Sequence, residues 1–323
     1  MPRGIAGLPK AQPLVLSKKQ LLEELRAVDT DPDRRSRVLR LETAFRTKIA
    51  NHIMSLPAKD AMFQKFNTSP YVLLIHALQR GYTKVSEIEA DILPAKQFSS
   101  METSAGRMVE EIALPEYGWE CVTSIMHSSN SALDGKRIER GIYHLATLKS
   151  GPRCLNDEMS ENFADAVLNN FTAWAAEASV KSIDFTYGVL YGTRKMSNKK
   201  DWHILRNIQK KLGSAMRISP DNRWSCGFTT GDIVVDVTIR IGLDWWRHLG
   251  GELCFTEVFT ALIRACVSAG VADTNTHHYV IRDLDDIVSM RAVPEEYNVS
   301  LLQHSQISWF FLMARHFCDS LTD

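Results

Sequence analysis

SALDGKRIERGIYHLATLKSGPRCLNDEMSEN, residues 131–162, is the stretch on which the fold turns. Asp134 opens a short segment that passes through the polar GKRIERG and returns as the apolar run IYHLATL, which delivers Lys149 at its end. Two β-segments side by side bring an acid and an ammonium within a few ångströms of one point. Metal-assisted phosphodiester hydrolysis requires that pairing: the acid holds a divalent cation, and the lysine steadies charge or a water. The same pattern also suits a surface hairpin with a lysine at a strand end, so the spacing alone leaves both readings open.

Working outward, residues 102–113 have helical spacing and are expected to stop before Pro115, and 119–126 read as a strand. Residues 162–178 read as a helix, 183–191 (IDFTYGVLY) as a buried strand and 202–212 as a helix. Residues 233–241 (IVVDVTIRI) are the cleanest strand, and 243–267 are mostly helical. Strands alternating with helices predict an α/β core with some parallel pairing. The first 16 residues carry three prolines and read as a loose arm. Ser17 then caps an amphipathic helix bearing Leu21, Leu22 and Leu25. Val38, Leu41, Phe45, Ile49 and Ile53 continue at helical spacing to Pro57, with further apolar clusters at 60–66 and 71–78. The expected organisation is a helical region over 1–85, a core over 86–270 and an extension over 271–323.

The chain has 323 residues, 38 Lys+Arg against 38 Asp+Glu, and 45% hydrophobic residues, an ordinary globular composition. Apolar runs fall well short of the ~18 residues a membrane span needs, and no apolar leader opens the chain, so a cytoplasmic protein is expected. Six cysteines stand singly, with no CxxC pair and no tight Cys/His cluster, which argues against a structural zinc site and against a disulfide framework. GxxxxGK[ST], GxGxxG, GxSxG and HExxH are absent, and with them local support for nucleotide, nicotinamide, serine-hydrolase or zinc-protease chemistry. His277 and His278 lack a third ligand at helical or hairpin spacing and read as surface residues. Arg34, Arg35, Arg37 and Arg40 read as a solvated helix face, with phosphate contact as the alternative.

The pieces LDGKRIER…YHLATLKSGP, preceded by TSAGRMVEEIALP and followed by GVLYGTRK, WHILRNI and VVDVTIRIG with an aromatic WW pair, resemble in order a type II restriction endonuclease family. That family belongs to the PD-(D/E)xK nucleases and cuts the interrupted palindrome RGGNCCY. The likeness covers about residues 100–267. It implies a mixed central sheet flanked by helices, double-stranded DNA as substrate, Mg2+ as cofactor, a homodimer matched to a two-fold symmetric site, and a cognate DNA methyltransferase in the same restriction-modification system. By the resemblance, Asp134 is the first metal-binding acid and Lys149 the catalytic lysine.

Two positions depart from the family pattern. Leu133 stands where the family has proline, and Thr147 stands where an acid two residues before the lysine supplies the second metal ligand. A threonine brings no charge to Mg2+. Related nucleases draw the missing carboxylate from the helix after the lysine or from the helix before the sheet. Glu161 and Glu158 are candidates on the first route, Glu111 and Glu110 on the second, with Glu161 and Glu111 favoured. For DNA contact, Arg153 and Arg194 are expected to read guanine edges, and Lys195, Lys199 and Lys200 in TRKMSNKKDW to meet phosphates, with Arg206, Lys210 and Lys211 extending the stretch. Three rivals remain: a PD-(D/E)xK nuclease without strict sequence specificity, a DNA-binding module on a decayed scaffold, which Thr147 keeps open, and a plain α/β protein of unrelated function with no salt-dependent affinity for DNA.

Overall fold

A computed structural model describes residues 8, 10–56, 70–122, 132–213, 216–218, 224–270, 280–289 and 299–323. The cluster at 60–66, the second half of the strand expected over 119–126, and His277 and His278 lie outside the described residues. In chain order the elements are β1 (Val15–Ser17), α1 (Lys18–Thr30), α2 (Pro32–Ser55), α3 (Pro70–Arg80), α4 (Val85–Glu116), β2 (Glu120–Cys121), β3 (Gly135–Glu139) and β4 (Ile142–Lys149). They continue as α5 (Asp157–Ala178), β5 (Ser182–Val189), α6 (Trp202–Leu212), β6 (Met216–Ile218), β7 (Ser225–Thr230), β8 (Ile233–Ile241), α7 (Leu243–Gly250), α8 (Cys254–Cys266), α9 (Leu284–Val288), α10 (His304–Arg315) and β9 (Ser320–Thr322).

The α/β reading holds. A seven-stranded sheet runs β2-β3-β4-β5-β8-β7-β6, with β4, β5 and β8 parallel at its centre and antiparallel strands on both flanks. The helix α5 makes the crossover from β4 to β5, and α6 lies in the connection that follows β5. Side chains alternate across each strand, so β8 sends Val235, Val237, Ile239 and Ile241 into one core with Leu145, Phe185 and Trp174. The Trp174 and Phe185 rings stack 5.9 Å apart. The opposite face, carrying Ala146 and Leu148, packs on a second core drawn from α1, α2, α4, α7, α8 and α10.

That second core joins stretches the sequence presents separately. Ser17 caps α1 by accepting the Gln20 N–H, and Asp31 caps α2. Residues 15 and 16, read as the end of a loose arm, instead form β1 together with Ser17 and pair in parallel with β9. Of the α2 arginines read as a solvated face, Arg35 and Arg40 are exposed, whereas Arg34 and Arg37 are half-buried in an ion-pair cluster. Arg34 and Arg37 donate to the two oxygens of Glu257 on α8 at 2.6 and 2.9 Å, and the Tyr117 hydroxyl donates to Glu257 at 2.6 Å. Glu257 is fully buried. Arg35 pairs with Asp29 and Arg40 with Glu116.

The helix expected over 102–113 is part of the much longer α4, which runs through Pro94 and Pro115. Pro115 lies in the last turn, where its missing N–H removes one bond at the end of the ladder rather than breaking it.

Candidate active site

The β3–β4 hairpin fixes Asp134 and Lys149. The Asp134 N–H donates to the Ala146 carbonyl at 2.8 Å, and its Oδ2 accepts the Leu148 N–H at 2.7 Å. The acid is thereby held against the strand end that carries Lys149. Burial raises the Asp134 pKa, opposed by the Leu148 N–H and the Lys149 charge. The Lys149 ammonium sits 5.5 Å from the Phe163 ring centroid on α5. Among the described residues it has no carboxylate within ion-pair distance.

Thr147 takes no part in this chemistry. It is buried and its hydroxyl donates to the Ala132 carbonyl, so it pins the hairpin. A further carboxylate, Glu110, is carried by α4. Burial first, and the Asp134 charge second, push the Glu110 pKa up to about 7, with Lys149 acting in the opposite direction. Two carboxylates and an ammonium therefore share one electrostatic environment at the end of β4. Gly106, one turn before Glu110 and on the same helix face, brings α4 this close: a Cβ there would stand 2.9 Å from Ser150 Cβ, the residue after Lys149. Gly106→Ala is expected to push α4 off this turn and to destabilise the fold by about 1–3 kcal/mol, less the roughly 0.5–1 kcal/mol that alanine gains in a helix. A urea melt showing no loss would mean that the contact yields freely.

The favoured replacements point elsewhere. Glu111, adjacent to Glu110 and so about 100° around the helix, pairs with Lys48 at 2.5 Å and Arg107 at 2.8 Å, which hold its pKa down. Glu161 is exposed on α5, 3.7 Å from Lys211. Neither is brought to Asp134 and Lys149. Glu158 is likewise exposed, and Asp157 takes Lys200 and His203 at the start of α5. The MVEEI stretch by itself favours Glu111, and what places Glu110 toward the Lys149 turn is its i, i+4 relation to Gly106.

The basic residues divide. Lys195 and Arg153 are exposed, although Arg153 Nε donates to the Met196 carbonyl at 3.2 Å. Arg194 is tied to Asp244 at 2.6 Å and lies over Trp224. Lys200 is held by Asp157 at 2.6 Å. Lys199 is spent inside its own loop, donating to the carbonyls of Arg194 and Ser197. The loop expected to meet phosphates thus uses much of its charge to hold its own shape.

As to what could be held here, Asp134 and Glu110 present hard oxygen donors, and their mutual repulsion is what a divalent cation relieves. The residues fit Mg2+ on that ground. An apolar cavity of about 450 Å3, lined by Gly106, Ser150, Tyr191 and Trp246 among others, adjoins the same turn. No protein-family model matches the chain, and neither does any curated protein.

Proposed function

We propose that the chain is a Mg2+-dependent endonuclease of the PD-(D/E)xK type, cutting double-stranded DNA at a specific site as a homodimer. The observation that carries this reading is that Asp134 is held on the strand end that delivers Lys149, with α4 and its Glu110 packed onto the same turn through Gly106. The order of helix, antiparallel hairpin, crossover helix and parallel strand is compatible with it. A Mg2+ ion bound by Asp134 and Glu110 would lower the pKa of the attacking water and neutralise the scissile phosphate. Lys149, on the rim of the same site, stabilises the charge that builds on the phosphate or orients the water. Thr147 holds the hairpin so that Asp134 and Lys149 keep their spacing. Arg153 and Lys195 offer exposed cations for the DNA, with specificity for G/C pairs as the resemblance implies. The matching methyltransferase would protect host sites without needing to touch this chain.

Digestion of phage DNA with Mg2+, beside a lane with EDTA and a lane with Lys149→Ala protein, tests the proposal. Discrete fragments that vanish in both controls are expected. A metal-dependent smear would replace site specificity by general nuclease activity, and intact DNA bound equally well with and without Mg2+ would favour the decayed scaffold.

The site also predicts a pH effect. Glu110 titrates at about 7, and its protonated form competes with the cation, so the Mg2+ concentration giving half-maximal rate should fall as pH rises from about 6 to 8. A metal requirement that stays flat across that window would remove Glu110 from the metal site.

A further inference from the structure

The sheet face that packs on α4 and α7 carries a second cluster of ligand-type side chains, displaced along β4 from the Asp134 site. His144 stands five residues before Lys149 on β4, about 16 Å away along the strand, and alternation turns it to the opposite face. It lies directly across the parallel ladder from Asp184 on β5, with Nδ1 3.0 Å from Oδ2. His248, in the second turn of α7, supplies a third donor. One ligand atom from each of the three lies within 4.8 Å of the other two. Ligands around a tetrahedral Zn2+ at about 2.0–2.2 Å sit roughly 3.5 Å apart, so small side-chain rotations close the set.

The surroundings point to a ligand as well. Trp119 packs edge-on against both imidazoles, at 6.3 Å from His144 and 5.8 Å from His248, and Trp245 lies 5.9 Å from His248. Arg137 covers Trp119 at 5.0 Å. Among the described residues, Nε1 of both tryptophans and Nε of Arg137 and Arg240 are buried without an acceptor. Buried N–H groups ordinarily find a partner.

We propose that His144, Asp184 and His248 form a binding site for a borderline divalent cation of the Zn2+ class, separate from the Asp134 site. Two imidazoles and one carboxylate suit such an ion, whereas Mg2+ takes oxygen ligands. Three protein ligands leave one position of a tetrahedral ion open. The guanidiniums of Arg137 and Arg240 favour a water or small anion there, which would also accept from the unpaired N–H groups. The register of β4 on β5 makes the His144–Asp184 edge rigid, and α7 closes the site.

The test uses full-length protein carrying Asp134→Ala, so that the carboxylate site does not contribute. Titration with Co2+ alone should give visible d–d bands of tetrahedral intensity, saturating at one ion per chain. Zn2+ should displace the Co2+, and Mg2+ in large excess should not. In the same background, His248→Gln and Asp184→Asn should each weaken Co2+ at least about tenfold, with the fold checked by circular dichroism. The absence of Co2+ bands in the parent protein would overturn the site without reference to any variant. Unchanged affinity in a folded His248→Gln or Asp184→Asn protein would do the same.

Discussion

Glu110→Gln is expected to abolish Mg2+-dependent cleavage and, in the same protein without metal, to raise the melting temperature. Both effects come from one carboxylate. Its pKa of about 7, against 4.5 unperturbed, means that ionising Glu110 works against the fold, because burial and the Asp134 charge disfavour its charged form. The sign follows directly. Below pH 4.5 the group is protonated folded and unfolded and costs nothing. As pH rises from 4.5 through 7 the unfolded chain loses this proton first, and the folded state is penalised by up to about 3 kcal/mol. Glutamine removes the penalty while nearly preserving shape. It also removes the charge with which Glu110 would hold the cation, so the cleavage rate should fall on the order of a thousandfold, the scale for losing one group that serves a charged transition state. Glu111→Gln and Glu161→Gln should cut at close to the wild-type rate, because the first loses only its pairs with Lys48 and Arg107 and the second only its pair with Lys211, surface pairs worth at most about 1 kcal/mol each. Wild-type cleavage by Glu110→Gln protein, in a gel assay at pH 8, would refute the assignment.

Glu257→Gln should be the most destabilising conservative change outside the sheet. The carboxylate is fully buried, and each oxygen meets a guanidinium, Arg34 on one side and Arg37 on the other, with the Tyr117 hydroxyl donating to the Arg37 side. Glutamine would turn an NH2 toward a guanidinium and leave Arg34 only Asp31 at 3.3 Å, and Arg37 only Glu116 at 3.9 Å, as counter-charge. Breaking a buried pair in this way costs about 3–5 kcal/mol. Because these contacts tie α2 to α8 and to the end of α4, urea melts followed by far-ultraviolet circular dichroism should show the midpoint fall. A change below about 1 kcal/mol would show that water replaces the carboxylate cheaply.

Where one physical signal dominated, the sequence was legible. IVVDVTIRI lies under core packing on one face and reads as a strand with the same limits that β8 has, 233–241. The amphipathic WHILRNIQKKL likewise has the limits of α6. Legibility failed where a tertiary contact decides. Pro115 is a stop signal locally, yet α4 passes it because the loss falls in its last turn. Arg34 and Arg37 look solvated until Glu257, more than 200 residues later, arrives beneath them. Glu110 and Glu111 are indistinguishable in MVEEI without the phase of the helix, which the contact of Gly106 with the Lys149 turn fixes. The pairing of His144 with Asp184 needs the β4–β5 register, and no spacing within one strand reveals it.

The parallel pairing of β1 with β9 sets an order on synthesis. The Leu14 N–H donates to Asp319 Oδ2 across 305 residues, and Val15, Leu16 and Ser17 pair with Ser320, Leu321 and Thr322. A growing polypeptide can complete the sheet and its crossovers while α1 and α2 still wait on the ribosome for α8, α10 and β9. These long-separated contacts form last and slowly. Until they do, the apolar faces of the first two helices stay uncovered, and holding that surface apart from other nascent chains falls to chaperones.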